Sequence, residues 1–439
     1  MAVSEETEVY YERFVVGRIS VHDQERLGFT YDPRWLATDG NFPLSVTLPL
    51  SPGEFDDQII APWLANLLPE EQQLMALSRA LGLSTSDALA ILREIGGDTA
   101  GAISIGEPSN RSAWTYEPLQ AHYGMETGGT ALDRHFDDLG RRPFLVGEDG
   151  VRLSLAGGQK KTALAVLDSA GRPKLGLPEP TDKLAIPKTG APSTIIIKPD
   201  NPTLPGIVEN EAYCLTLAGL IGMPVVDCAI VEAGTRTALA VARYDRRRRS
   251  DGSVRRLHQE DFAQANGIYP GQKYEQGTVP GLDLDTLLRT GDQLPPAEAL
   301  KLLDQVIFNI LVANTDAHAK NYSMIHSNGP TMAPLYDVSS VLHWDHVNQY
   351  HAQKIAGRRR KPSDTARRHW VRIAEEAGLN ARGVRLRVQE LVDAMVAARV
   401  EATDRINSQP GAEVGMVEHV ADLVEGNALR IAGRLEERH

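Results

Sequence analysis

Asn314-Thr315-Asp316-Ala317-His318-Ala319-Lys320-Asn321 is the stretch on which the reading of this chain turns. Ahead of it runs Lys301-Leu302-Leu303-Asp304-Gln305-Val306-Ile307-Phe308-Asn309-Ile310-Leu311-Val312-Ala313, with apolar residues at 302, 303, 306, 307, 310 and 311. That period is the signature of a buried helix face. The helix delivers the chain to a polar loop bearing a carboxylate, an imidazole, an ammonium and two carboxamides. Tyr322 to His326 then reads as a short strand, and after Gly329-Pro330 a second acid arrives at Asp337, inside Tyr336-Asp337-Val338-Ser339-Ser340.

These spacings have chemical content. Moving a phosphoryl group from ATP asks for a carboxylate at the acceptor hydroxyl and for oxygen ligands to Mg²⁺. Asp316 and Asn321 stand five residues apart, the separation of the catalytic-loop Asp and Asn in protein kinases. Asp337 stands where such enzymes bring in a further metal-binding acid. The plainer alternative is a polar turn whose Asp and Asn satisfy backbone donors.

At 439 residues the chain exceeds one ordinary core, so roughly two or three domains are expected. A composition 42% hydrophobic and 24% charged is that of a soluble globular protein. No apolar run approaches the ~18 residues a membrane span needs. Met1-Ala2-Val3-Ser4-Glu5-Glu6 is acidic and lacks an apolar core, which argues against a signal peptide. With Cys214 and Cys228 as the only cysteines, neither a disulfide framework nor a zinc site is expected, and the cytoplasm is the natural compartment. A formal charge of −12 argues against a chain that wraps nucleic acid by itself. The basic runs Arg246 to Arg249 and Arg358 to Lys361 suit solvated loops or an acidic partner equally.

Taken in order, Tyr11 to Ser20 and Leu27 to Tyr31 read as strands. Glu70 to Leu81 reads as a helix with Pro69 at its start and Gly82 past its end. Ala88 to Ile95 reads as another, opened by Ser84-Thr85-Ser86-Asp87 and stopped by Gly96-Gly97. These make a small α+β module. Beyond it, Leu153-Ser154-Leu155-Ala156-Gly157-Gly158-Gln159-Lys160-Lys161-Thr162 leads into a strand at Ala163 to Leu167. Its two glycines allow a backbone to approach phosphate oxygens closely. It is not a Walker A loop, because the Gly before Lys-Thr is missing and a strand follows.

Thr194 to Ile197 is β-branched and ends in Lys198. A lysine closing an apolar strand must reach water, a carboxylate or a ligand. The helix expected at Val208 to Ile221 offers it Glu209 or Glu211, and strand lysine before helix glutamate is the kinase order. Val225 to Glu232 and Thr237 to Arg243 extend the sheet, and Asp245 leaves it either as a ribose-binding acid or as an ion-pair member beside four arginines. Helices then dominate: Glu260 to Asn266, Asp283 to Leu288, Pro296 to Ala313, Ala381 to Thr403 and Glu413 to Glu436.

The assembled residues resemble the HipA family of bacterial Ser/Thr kinase toxins. The likeness rests on Leu153 through Thr162, on Val241-Ala242-Arg243-Tyr244-Asp245-Arg246-Arg247, on Leu257-His258-Gln259-Glu260-Asp261-Phe262 and on Asn314 through Tyr322. The N-terminal block fits as well, from Val16-Gly17 through Asn66-Leu67-Leu68-Pro69-Glu70 to Ile95-Gly96-Gly97-Asp98.

The resemblance implies Asp316 as catalytic base and Asn321 and Asp337 as Mg²⁺ ligands. It implies an ATP site made of Ser154, Ala156, Gly157, Gly158, Gln159, Lys161 and Lys198, with His318 and Lys320 from the catalytic loop. Ala242, Arg243 and Tyr244 would meet the adenine and Asp245 the ribose. Ser154 would be autophosphorylated, silencing the enzyme. A helix-turn-helix antitoxin of the HipB kind, operator DNA through it, and an aminoacyl-tRNA synthetase substrate are the implied partners, with no membrane. Lys160 departs from the family, which usually has an acid there. The expected fold is α+β and bilobal, kinase-like. It has an N-terminal α+β subdomain (1–110), a β-rich N-lobe (111–248) and an all-helical C-lobe (249–439). A small-molecule kinase and a pseudokinase acting as antitoxin-binding co-repressor are the alternative functions.

Overall fold

The polar pair Glu12-Arg13 interrupts the first strand region, and the chain reverses there with Glu12 at φ 54°. The single strand expected at Tyr11 to Ser20 is therefore a hairpin of Glu5–Tyr11 and Phe14–Val21. The computed structural model describes residues 5–327 and 329–435. Among them, the hairpin belongs to a five-stranded antiparallel sheet ordered Glu54–Phe55, Leu27–Tyr31, Phe14–Val21, Glu5–Tyr11, Ile103–Ile105. The helices Asp57–Ala65, Glu71–Leu81 and Ala88–Ile95 complete this unit, burying Trp63, Leu77 and Leu92 with Val9, Val16 and Phe29 of the sheet. Two helix ends follow from local chemistry. Gly82 closes the second helix at φ 69°, and the Asp87 side chain accepts from the Ala90 amide to open the third.

The second sheet has seven strands among the described residues. Ile195–Pro199 lies between Arg236–Ala242 and Thr162–Leu167, with Cys228–Ala233 on one side and Lys183–Lys188 then Thr115–Pro118 on the other. The helix Ile207–Leu220 is apolar nearly all round, which fits burial on all sides. It packs on the strands Cys228–Ala233 and Arg236–Ala242 and also on the C-terminal helices Ala381–Asn407 and Val414–Gly433. Its residues Ile207 to Ala218 join one core with residues as far as Leu435. A division at 248 thus follows chain order, while the core runs across it.

The C-terminal lobe is built on Pro296–Leu311, Arg367–Glu376, Ala381–Asn407 and Val414–Gly433. Of the expected last helix, Glu436 lies outside the described residues. The expectation of an all-helical lobe needs amending. Gln259–Asp261, Ser323–Ile325 and Thr331–Met332 form a small sheet, and Arg246–Arg248 pairs with Val254–Arg256. The helix expected at Glu260 to Asn266 is a strand end followed by one turn, Phe262–Ala265. Asp261 and Gln264 close a capping box there, and helix-like polar spacing over so few residues reads the same either way.

One carboxylate ties the units together. Asp98, after the first unit's last helix, is fully buried, and its Oδ1 accepts from Arg246 at 2.8 Å and Arg256 at 2.7 Å. Its Oδ2 accepts from the Ser193 amide at 2.9 Å and hydroxyl at 2.5 Å. Its backbone bonds Arg152 and Ser154 on either side of Leu153. Burial pushes its carboxyl upward, but the guanidiniums of Arg246, Arg256 and Arg243 outweigh that and hold it well below the usual carboxylate range.

Removing one member of a buried ion cluster strands the others without compensation, which costs about 3–5 kcal/mol. Asp98→Ala is expected to lower unfolding stability by about that much, against about 1 kcal/mol for the exposed helix cap in Asp87→Ala. Urea denaturation of both variants checks this. Equal, small losses would mean that the arginines around Asp98 find other partners.

Candidate active site

Helix Pro296–Leu311 ends at Val312, Ala313 takes φ 60°, and the chain turns into the polar loop. Asn314 is the buried organiser of that turn. Its Nδ2 donates to Asn309 Oδ1 at 2.9 Å and to the Asp337 carbonyl at 3.4 Å, while its Oδ1 accepts from the Asp316 amide at 3.1 Å. One carboxamide thus holds the backbones of both key acids. Asn321 donates Nδ2 to the Asp316 carbonyl at 2.9 Å, which leaves its Oδ1 with no protein donor among the described residues.

Lys198 closes its strand by reaching two carboxylates. Its Nζ is 2.7 Å from Glu211 and 2.6 Å from Asp337, so Glu211 rather than Glu209 is the helix partner. Glu209 instead accepts from the Glu413 amide. Burial alone would drive Lys198 toward neutrality, but Asp337 and Glu211 hold its ammonium charged. Burial likewise raises Asp337, and Lys198 with Lys161 outweighs it, so this acid stays ionised across any working pH.

Opposite lies the glycine-rich segment. Gly157 takes φ +102°, a backbone conformation that side-chain-bearing residues rarely adopt, so glycine suits this position. Lys161 has no ion-pair partner among the described residues, and burial lowers its ammonium to about 8. The segment leans on the N-terminal unit. Ser154 Oγ donates to the Leu67 carbonyl at 2.7 Å, the Glu70 amide to the Gly157 carbonyl at 3.3 Å and Gln73 Nε2 to the Gly158 carbonyl at 2.9 Å.

These groups face one cavity of about 420 Å³. Asp316, His318, Lys320, Asn321 and Asp337 line it, as do Ala156, Gly157, Gly158, Gln159, Lys161 and Lys198. Ala242, Arg243, Tyr244 and Asp245 close another side. Burial holds His318 below the usual histidine range, so its imidazole is neutral, and its Nδ1 is buried without a partner among the described residues.

The structure corrects the expected place of Ser154, resolves Asp245 in favour of its ion-pair reading and adds detail for Lys320, Ala242, Arg243 and Lys160. Ser154 does not line the cavity: it is wholly buried behind the glycine-rich segment. Lys320 reaches it, but its ammonium is held by the Asn66 carbonyl at 3.0 Å, Asn66 Oδ1 at 2.8 Å and Asp261 at 2.9 Å, which uses all three of its donors. Asp245 is a buried ion-pair member, with both carboxylate oxygens taken by Arg243, Arg246 and the Gly101 amide. The amides of Ala242 and Arg243 are already bonded to the carbonyls of Asp227 and Thr194. Lys160 is exposed and outside the cavity lining, so the departure from the family lies on the surface.

Two cavity residues, Tyr274 and Lys273, had no motif to announce them. Tyr274 donates its hydroxyl to the Asp316 carboxylate, and Lys273 pairs at 2.5 Å with Glu70, which is also 3.8 Å from Lys320. Glu70 sits inside the quoted Asn66–Glu70 block, the one signal that the sequence offered for it.

Comparison with known proteins supplies the remaining evidence. A model of the HipA-like C-terminal domain matches residues 153–399, and one of the HipA N-terminal domain matches residues 7–106. The chain is 36% identical to a candidate kinase of Sinorhizobium fredii, Y4mE, across 96% of this chain and 97% of that one. It is 31% identical to the serine/threonine-protein kinase toxin HipA of Shewanella oneidensis, across 72% of this chain and 70% of that one. The structure of that organism's HipA in complex with HipB and operator DNA superposes with a TM-score of 0.81 at 25% identity, covering 98% of both chains. The bilobal, kinase-like α+β architecture is thereby shared.

The cavity's loose ammonium gives a pH test. An unfolded chain keeps lysine protonated up to its ordinary range, so the folded protein gains stability as pH climbs from about 8 toward that range. NMR of side-chain-labelled lysine should show Lys161 titrating near 8 in the nucleotide-free protein. A midpoint in the ordinary lysine range would mean that this ammonium is solvated.

Proposed function

The chain belongs to the HipA family, and from that premise we propose that it is an ATP- and Mg²⁺-dependent Ser/Thr protein kinase, the toxin of a toxin–antitoxin module. The observation that carries the reading is the convergence of Asp316, Asn321, Asp337 and the Glu211-paired Lys198 on one cavity. The residues fit the absent groups. Asp337 is a permanently ionised carboxylate and Asn321 offers an uncommitted Oδ1, the hard oxygen donors that Mg²⁺ prefers. Lys198 and Lys161 supply positive charge, and Gly157 lets the backbone come close.

When bound, ATP supplies the phosphoryl group and Mg²⁺ offsets its charge. The chain's own part is positioning. Asp316 takes the proton of the acceptor hydroxyl. Lys198, kept charged by Glu211, holds phosphate oxygens. Asn314 keeps the catalytic and metal-binding acids in fixed relation through their backbones. Tyr244, its ring stacked on Tyr336 with centroids 5.7 Å apart, offers a flat apolar wall suited to a base. A helix-turn-helix antitoxin of the HipB kind, with operator DNA, is the proposed partner, in line with the complex of the Shewanella relative. An aminoacyl-tRNA synthetase is the proposed substrate, on family resemblance alone.

Ser154 is the proposed site of silencing autophosphorylation. A phosphoserine adds about −1.5 to −2 charges. The wholly buried pocket around its hydroxyl has no room for that group, so modification requires residues 154–158 to leave their seat. Their departure would take Gly157 away from Glu70 and unmake the phosphate cradle.

Asp316→Asn is expected to leave Mg-ATP binding intact while cutting transfer by ~10²–10⁴-fold, the usual worth of a general base. Labelled ATP in a bacterial extract reads transfer, and a loss under about tenfold would sink the assignment. The wild type, expressed alone, should arrest bacterial growth, and this variant should not. Asp337→Asn should weaken nucleotide binding in Mg²⁺; unchanged affinity with normal turnover would rule out a metal role. Phosphosite mapping after incubation with Mg-ATP should find Ser154 modified and nucleotide binding lost, whereas Ser154→Ala keeps binding. A modified form that still binds ATP contradicts the switch.

A further inference from the structure

Tyr274 belongs to none of the motifs used so far. It sits in Tyr269-Pro270-Gly271-Gln272-Lys273-Tyr274-Glu275, a segment laid against the catalytic loop. Its hydroxyl donates to Oδ1 of Asp316, and its ring meets the His318 ring edge-on, with centroids 5.0 Å apart. The Ala319 amide donates to the Lys273 carbonyl at 3.2 Å, which binds this segment to the loop that carries Asp316. Lys273 Nζ pairs with buried Glu70 at 2.5 Å and lies 5.2 Å from the Tyr274 ring centroid. On the other flank the Glu275 amide donates to the Ala352 carbonyl at 3.2 Å, and its carboxylate holds Lys354 Nζ at 2.9 Å. The phenol is therefore delivered by a braced frame.

The frame matters because of what Asp316 lacks. Its backbone is fixed by Asn314, His318 and Asn321, but its exposed side chain has a single partner among the described residues, Tyr274. A base that swings between rotamers presents its oxygen to the acceptor for only part of the time, and a misplacement of ~1 Å costs about a hundredfold. Burial, reinforced by the Asp316 charge, holds the phenol proton well above the usual tyrosine range, so the hydroxyl remains a donor.

We propose that Tyr274 is a positioning residue for phosphoryl transfer: by binding Oδ1 of Asp316 it locks the side chain so that Oδ2 meets the acceptor hydroxyl. The proposal rests on the kinase reading above and adds to it a residue outside the kinase motifs. It also explains why the N-terminal unit reaches so far into the cavity. Through Glu70 and Lys273, that unit steadies the segment that steadies the base.

The test uses Tyr274→Phe, which removes one oxygen and keeps the ring. Transfer from labelled ATP to protein in a bacterial extract and the affinity for Mg-ATP are measured on the same full-length preparations. Tyr274→Phe should slow transfer by about 10–100-fold while the affinity for Mg-ATP stays within about twofold of wild type. An unchanged rate overturns the proposal. So does a faster rate, which would mean that the phenol occupies the acceptor's place. A loss of nucleotide binding as large as the loss of rate would also overturn it, because the hydroxyl would then be holding up the cavity as a whole. Asp316→Asn and wild type are run alongside. If wild type transfers no label, or Asp316→Asn transfers as well as wild type, the kinase reading of Asp316 falls and this proposal with it. If Asp316→Asn is impaired and Tyr274→Phe is not, only this proposal falls.

Discussion

A carboxylate with no access to water must find compensating charge or lose its ionisation, and Asp98 meets that demand with groups from two other parts of the chain. Arg246 and Arg256 come from just beyond the hinge and Ser193 from the entry to the lysine strand, while the Asp98 backbone amide donates to the Arg152 carbonyl on the approach to the glycine-rich segment. Arg246, Arg256 and Ser193 also bond Gly101, Gly190 and Arg243, but Asp98 joins all three, so the N-terminal unit, the sheet and the hinge hold one another in register. Arg243 and Asp245 extend the same cluster by pairing with each other and with Gly101 and Ser193. A hinge residue that seemed suited to a ligand is thus part of the frame.

The cavity has a second such support on its other side. Asn66, Leu67 and Glu70 bond Lys320, Ser154, Gly157 and Lys273, which places the catalytic loop and the glycine-rich segment on one common strut. On the proposed reading this is a coupling device: whatever unseats residues 154–158 also removes bonds from the strut that steadies the catalytic loop. The N-terminal unit then does more than decorate a kinase, because two sides of the phosphate end of the cavity are held by it.

Much of this was legible in the sequence, and what was not has physical reasons. The helix ending at Leu311 showed its period, and Asp316, Asn321 and Asp337 showed their spacing, because both are local properties of the chain. Lys198 with Glu211 was narrowed to two candidates by element order, and their two-residue separation, about half a turn, places Glu211 and Glu209 on opposite faces of the helix. Side-chain direction was not legible. Lys320 sits in the most specific motif yet points to Asn66 and Asp261, and Asp245 at a strand exit looks the same whether it faces a ribose or an arginine. Asp98 and Tyr274 take partners more than forty residues away, a separation across which periodicity carries no information. The strand at Gln259–Asp261 was hidden for a related reason, since three residues that pair only with Ser323–Ile325 have no period of their own.

The central claim is that this cavity holds Mg-ATP with its phosphates between the glycine-rich segment and Lys198. A crystal structure of the full chain with Mg²⁺ and a non-hydrolysable ATP analogue tests it most directly. The account predicts metal density against Asp337 and Asn321, phosphate oxygens within hydrogen-bond reach of Lys161 and Lys198, and the terminal phosphate facing Asp316. A nucleotide bound elsewhere, or bound in this cavity with the metal away from both Asp337 and Asn321, would contradict it.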